Sequence, residues 1–460
     1  MPDFVRRRIT RRPRGLKTGP GCELFRRRKL DEIERKMSLT AKTKFYKQAA
    51  VIVLMVLLGI SPAAALRPPD AERLPLERPG VREALEQIER DRDRTAAFLA
   101  EIGGIISPSG QELDRAHAVA ARMREIGLQK VRVDEAPNAI GEVPGRSERA
   151  LVFVSTLDDL ATVAEHQRRR AAPPRIAGDR VEGPGTNTSS TTAAMLAAAE
   201  ALIANGVQPE HDLVFASVAQ EETGLTGMKR LYEQYRGRAA GFVDILGDGS
   251  RISCGSIGIH WWKVIARGPA GHSLGGGLPN VNQGIARAVD RILLLPHPQR
   301  HSEMRTVVNI AQIHSGVVYN HKPEEGWFSL DLRSLENRVI ADMEAQVRTI
   351  LDRVGDETGI TFEMEPFQLT PGGQLAGARE SALVRTAEAG ARWLGLDPRL
   401  SKAGSSNMNV AVAGGTLAIG LGGSRGGSRG QPEEWADIPA MLRSARLVLL
   451  LAASSLAPSQ

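Results

Sequence analysis

The sequence predicts an α/β fold: a mainly parallel sheet with flanking helices, interrupted by a smaller α+β domain. Three observations carry this prediction. Short apolar runs at 151–157 (LVFVSTL), 212–219 (DLVFASVA) and 241–246 (GFVDIL) have the length of buried strands, and helical stretches alternate with them. Near Gly258 the pattern changes to an alternating segment, HWWKVIARG. From Glu380 the first pattern returns, so 81–258 and 371–460 form one interrupted domain around an insertion at 259–370.

The elements follow in order. Val81, Leu85, Ile88, Phe98, Leu99 and Ile102 recur at roughly helical spacing and predict a helix over 81–102. SPSGQE (107–112) breaks it and caps the next helix, which stops at Gly127. A strand is expected at 129–134. STTAAMLAAAEALIA (190–204) is an Ala-rich helix ended by Asn205-Gly206. The insertion should contain a helix at 281–295 and strands at 305–313, 326–333 and 360–367. Beyond it come helix 380–394, a Gly-rich stretch at 414–430 and helix 437–453.

Composition excludes several classes. With 42% hydrophobic and 25% charged residues, disorder and a fibrous repeat do not fit. The net charge of +7 is a property of the leader, since residues 1–47 carry +11 and residues 66–460 carry −4. Nucleic-acid binding by the body of the chain therefore loses its support. Within the leader (1–65), Met37 is the better start. Lys42, Lys44 and Lys47 precede the apolar run AAVIVLMVLLGI (49–60) and Ala63-Ala64-Ala65, the pattern of a signal peptide. The expectation is an exported protein, periplasmic or extracellular, with an N-terminal membrane anchor as the alternative. Residues 66–80 are a Pro-rich, charged linker. Beyond the leader the one cysteine is Cys254, so no intramolecular disulfide is expected.

In an open α/β sheet, ligands bind beyond the carboxyl ends of the strands. Asp158, the pair Glu221 and Glu222, and Asp248 follow three successive predicted strands. Carboxylates gathered there repel one another unless a cation neutralises them or protons are retained.

The ordered segments SPSGQE, the strand ending at Asp158, VAQEETGLTG (218–227), GPAGHS (268–273), the Asn320 loop, DLRS (331–334) and GSSNMN (404–409) resemble a known family. They are similar to the two-domain co-catalytic zinc exopeptidases of metallopeptidase clan MH, which include peptidase T, carboxypeptidase G, carnosinase and aminoacylase. The likeness spans about 84–455, and it implies that the insertion at 259–370 is a lid and dimerisation domain. It implies that Asp158 orients a metal-bound histidine, that Glu221 is the general base, and that Glu222 and Asp248 are terminal metal ligands. It implies further that His272 reaches a neighbouring subunit's site in a homodimer and stabilises an oxyanion. Asn320 and Arg333 would hold the substrate, Arg333 its carboxylate.

The departures carry as much information. Thr156 stands where the family has a histidine, Thr188 where it has the bridging aspartate, and Gly430 or Arg429 where it has the final histidine. Asn407 replaces an acid in the GSSNMN segment. Two remaining carboxylates cannot hold two zinc ions, because catalytic zinc takes about three protein ligands each. The expected function is a zinc-poor homologue that binds or weakly processes peptide-like or other amide-bearing small molecules. The alternative is an active peptidase or amidohydrolase. Its site would use the oxygen ligands Thr156, Asp158, Thr188, Glu222 and Asp248 with Mg²⁺, Ca²⁺ or Mn²⁺, or a metal-free, proton-sharing pair that includes Glu221.

Overall fold

A computed structural model describes residues 74–170, 172–277, 279–295 and 305–455. All of them belong to the second of two compact units, Asp70–Gln460. The leader, with the signal peptide expected in it, and the linker up to residue 73 lie outside the described residues. Among the described residues, no helix is long and apolar enough to cross a membrane. The last linker residues are not free chain: Leu76 packs against the main core, and the Arg78 guanidinium donates to the Ala453 carbonyl.

The 81–102 pattern forms two helices, Val81–Arg90 and Arg92–Gly104, because Asp91 leaves helical geometry between them. Helix Leu113–Glu125 follows and ends before Gly127, whose φ of +90° suits glycine alone at low cost. The main domain then supplies strands β1 Gln129–Val133, β2 Ala139–Val143, β3 Ser147–Thr156, β4 His211–Val218, β5 Ala239–Ile245 and β6 Arg251–Ser253. The lid supplies β7 Gly258–Arg267, β8 Val307–Asn309, β9 Ile313–Ser315, β10 Glu325–Ser334 and β11 Thr361–Thr370. Strands β12 Arg399–Ser401 and β13 Ala418–Gly422 complete the main domain.

The large sheet runs β1-β2-β4-β3-β5-β13-β6-β12. Its centre, β4-β3-β5-β13, is parallel throughout. Helices cover both faces, which is why these strands read as continuous apolar runs. On one face, Leu151, Phe153, Phe215 and Val243 pack under helices Thr186–Ala204 and Ile438–Ala452. On the other, Val152, Val154, Val214 and Phe242 meet Met228, Leu231 and Tyr232 of helix Thr226–Tyr235. The parallel centre places the carboxyl ends of four strands on one edge.

The lid is an antiparallel sheet, β8-β10-β7-β11 with β9 beside β10, under helices Val281–Leu293 and Asn337–Thr358. Its separate core gathers Val264, Phe328, Leu330, Ile285, Ile340 and Val347. The chain enters on β7 and leaves on β11, neighbours in which Ile259 pairs with Thr370.

Candidate functional site

The four parallel strand ends assemble the site. Beyond β3 lies Asp158, fully buried. Its Oδ1 accepts from the backbone N–H of Glu221 at 2.8 Å, and its Oδ2 from that of Glu222 at 3.0 Å and from Ser109 Oγ at 2.6 Å. Asp158 therefore fixes the loop that carries the two glutamates. With Thr156 in place of the histidine, it has no imidazole there to orient. Glu112 pins the same loop by accepting from Gln220 N–H at 3.0 Å. Gln220 itself sits at φ +57°, a left-handed conformation costly for a residue with a Cβ and kept where surrounding contacts impose it.

Glu221 and Glu222 differ in their company. Glu222 is ion-paired with Arg429. Glu221 lines the cavity, and its carboxyl is pushed well above the usual range by desolvation, then by the charges of Glu222, Asp158 and Asp244, with Arg429 opposing.

Asp244, not Asp248, is the third-strand acid whose charge bears on this group. It lies within β5, is buried, and accepts from Ser406 Oγ and from Met408 N–H at 3.0 Å. Burial pushes its carboxyl up to about 6 against those hydrogen bonds. Asp248, named from the sequence as a metal ligand, is engaged elsewhere. Its Oδ1 accepts from Ser250 and Ser424 N–H, both at 3.1 Å, and its Oδ2 from Arg443 at 3.2 Å. Asp248 is a loop acid holding the chain turns after β5 and β13. A signal was available, since Asp244 is the one charged residue inside an otherwise apolar strand.

The substituted positions also fall here. Thr156 and Thr188 are buried and line the cavity, and Thr156 Oγ1 accepts from Asn407 Nδ2 at 3.1 Å. Of the two candidates for the last position, Arg429 lines the cavity. Gly430 is turned away at φ +80°, its N–H donating to Glu434 Oε2 at 2.9 Å. Glu434, which the sequence reading did not single out, also accepts from Gly185 and Asn187 N–H at 2.9 and 3.1 Å. It thereby caps the helix that presents Thr188. Among the described residues, no group of three or more His, Cys, Asp or Glu side chains is arranged to hold a metal ion.

The lid residues lie apart from this centre. His272 Nε2 and Asn320 Nδ2 are 3.1 Å apart, Asn320 lying just before the short strand His321–Lys322 that pairs with Gly271–His272, and both residues are exposed. Arg333 is bound to Asp331 at 2.9 Å and covers the Trp261 ring. None of the three lines the cavity around Glu221. That cavity holds about 810 Å³. The lid contributes Arg305 and Leu335 to its wall, and Arg251, Arg399, Lys402 and Arg425 come from the main domain. Sequence reasoning passed over all of them.

Residues 160–454 match the family model described as Peptidase family M20/M25/M40. The chain belongs to this family. A related member of peptidase family M20 is the succinyl-diaminopimelate desuccinylase of Corynebacterium glutamicum, 24% identical over 269 residues, or 57% of this chain and 71% of that protein. Among solved structures, the aminopeptidase PepT of Bacillus cereus superposes with a TM-score of 0.64 at 20% identity, covering 79% of this chain and 98% of its own. A di-peptidase of Saccharomyces cerevisiae gives 0.65 at 13% identity, covering 81% and 99%. The two-domain exopeptidase fold expected from the sequence is thus the fold of this M20 family chain.

Proposed function

We propose that this chain is an exported, homodimeric, zinc-poor member of peptidase family M20 that binds, or weakly processes, peptide-like ligands in the cavity beside Glu221. One observation carries the reading: Glu222, a metal ligand in the resembled enzymes, is already neutralised by Arg429. The neighbouring positions agree. Thr156 is engaged by Asn407, Thr188 is a neutral hydroxyl, and Arg429 brings a positive charge to the place of the last ligand. These residues do not fit a pair of zinc ions, which need thiolate, imidazole or carboxylate donors. Family membership supports a peptide or amide ligand. Export rests on the apolar run 49–60 behind its lysines, and the dimer on β11, an edge strand of the lid sheet.

Elemental analysis of the purified full chain tests the central claim. Well under one zinc per chain is expected, and two tightly held zinc ions would overturn it. Light scattering of the same sample tests the dimer, which a monomeric mass at working concentration would refute.

A second reading, metal-free amide hydrolysis, is favoured by one feature. The Glu221 carboxyl, raised above the ordinary glutamate range by burial and neighbouring acids, keeps its proton to higher pH than a free glutamate. As carboxylate it can take a proton from an attacking water, and as acid return it to the leaving amine. Peptide hydrolysis that survives chelators and disappears in Glu221→Gln would support it.

A further inference from the structure

The charge of the cavity is opposite to that of a metal-binding pocket. Six cationic side chains line it, namely Arg251, Arg305, Arg399, Lys402, Arg425 and Arg429, and Glu221 is the one acid among the lining residues. Arg429 is occupied by Glu222. The other five make no ion pair among the described residues.

Their placement makes the crowding costly. Arg251 and Arg399 are register partners on the parallel strands β6 and β12, and like charges directly across a strand pair destabilise a sheet. Arg425 stands four residues before Arg429 on the loop after β13. Burial, then the charge of Arg429, lowers its guanidinium to about 10, against the opposing charges of Glu221, Glu222 and Glu434. Arg305 approaches from the lid. The body of the chain is net acidic, at −4 over residues 66–460, so these cations are a local concentration and not a general surplus.

We propose that the cavity selects a small amide-bearing ligand with at least two carboxylates, of the class of short acidic peptides. The inference rests on the peptide-like reading above and narrows it. Arginine forks match carboxylates in planar, two-point geometry, and several such groups can share one multivalent ligand. The ligand's charge offsets the mutual repulsion of these cations. A volume of about 810 Å³ is within the range of small-molecule sites, roughly 300–1,000 Å³, and suits a short peptide better than a polymer. Arg305 extends the wall across the lid junction, so a multivalent anion there touches both domains.

The test is titration calorimetry on the full chain with three probes: N-acetyl-triglutamate, N-acetyl-triglutamine and inorganic pyrophosphate. The triglutamate should bind at least tenfold more tightly than the triglutamine, and more tightly than pyrophosphate. Its affinity should fall between about 50 and about 300 mM salt, as screening shortens the reach of the cations. Arg251→Gln with Arg399→Gln should weaken triglutamate at least tenfold without lowering the melting temperature. Lys402→Gln, in an exposed loop, gives a second reading should the double variant misfold. Equal affinity for the two peptides would overturn the acidic preference and leave the peptide reading standing. Pyrophosphate binding with both peptides silent, or no binding at all, would overturn both. Unchanged triglutamate affinity in folded double and Lys402 variants would overturn the assignment to these cations.

Discussion

Arg429 and Glu222, 207 positions apart in sequence, form an ion pair at the carboxyl edge of the large sheet. The guanidinium supplies the positive charge that Glu222, Glu221, Asp158 and Asp244 would otherwise draw from a bound cation. Arg429→Met should therefore cost about 1 kcal/mol, the scale of a partly exposed pair. It should also make the protein responsive to divalent ions. Millimolar Mn²⁺ is expected to raise the melting temperature of the variant more than that of the parent, by mass action on the native state. Equal shifts in scanning fluorimetry would contradict this role for Arg429.

The same geometry says how a metal centre could be restored. Thr156→His, Thr188→Asp and Arg429→His introduce three donors around Glu222 and Asp244, and zinc affinity measured by calorimetry should rise at least tenfold. Placing the last histidine at Gly430 should do worse. That residue has φ +80°, and its N–H holds Glu434. If the Gly430→His set binds zinc better than the Arg429→His set, the assignment of the cavity wall is wrong.

Much of the fold was legible because the central strands are buried on both faces and so appear as apolar runs. Strand β2 (AIGEV) was missed, since glycine and glutamate interrupt it. Helix Asn337–Thr358 was missed although Ile340, Met343, Val347, Leu351 and Val354 follow helical spacing, because charges separate each of them. Within the site, Asp158, Glu221 and Glu222 were found by their position after strands. Asp244 was not, because it lies inside a strand that reads as apolar and not after it. The cationic wall was out of reach for another reason. Arg251 and Arg399 are brought together by pairing of two three-residue strands, and nothing local in either segment announces it.

Gly227 closes the loop that carries the glutamates. Its N–H donates to the Ala219 carbonyl at 3.1 Å and its carbonyl accepts from Asn138 Nδ2 at 3.0 Å. A Cβ there would lie 2.3 Å from Asn138 Oδ1 and 2.6 Å from the Ala219 backbone. Gly227→Ala should cost about 1–3 kcal/mol by overpacking. It should also weaken ligand binding, because the loop must shift to admit the methyl group. Urea unfolding beside calorimetry checks both, and an unchanged midpoint would show that the loop is not so constrained.

The last prediction concerns Asp159, next to Asp158 but facing inward. Its Oδ2 accepts from Arg115 at 2.7 Å, and both side chains are 1% exposed. Arg115 also donates to the Leu157 carbonyl at 2.7 Å, tying helix Leu113–Glu125 to the end of β3. Two effects compete at the carboxyl. Arg115 favours the charged form, while burial disfavours it and prevails, raising the group from 3.8 to about 6. The sign of the pH dependence follows. A group whose pKa is higher in the folded chain contributes stability that is complete below about 4 and is lost as pH rises through about 6. The gap corresponds to about 3 kcal/mol. Asp159→Asn cannot ionise, so its stability relative to the parent should rise by up to that amount between about pH 4 and pH 7. Urea unfolding of both proteins across this window supplies the comparison. If the parent instead gains on the variant as pH rises, the Arg115 ion pair outweighs burial, and this buried pair holds the site together through its charge.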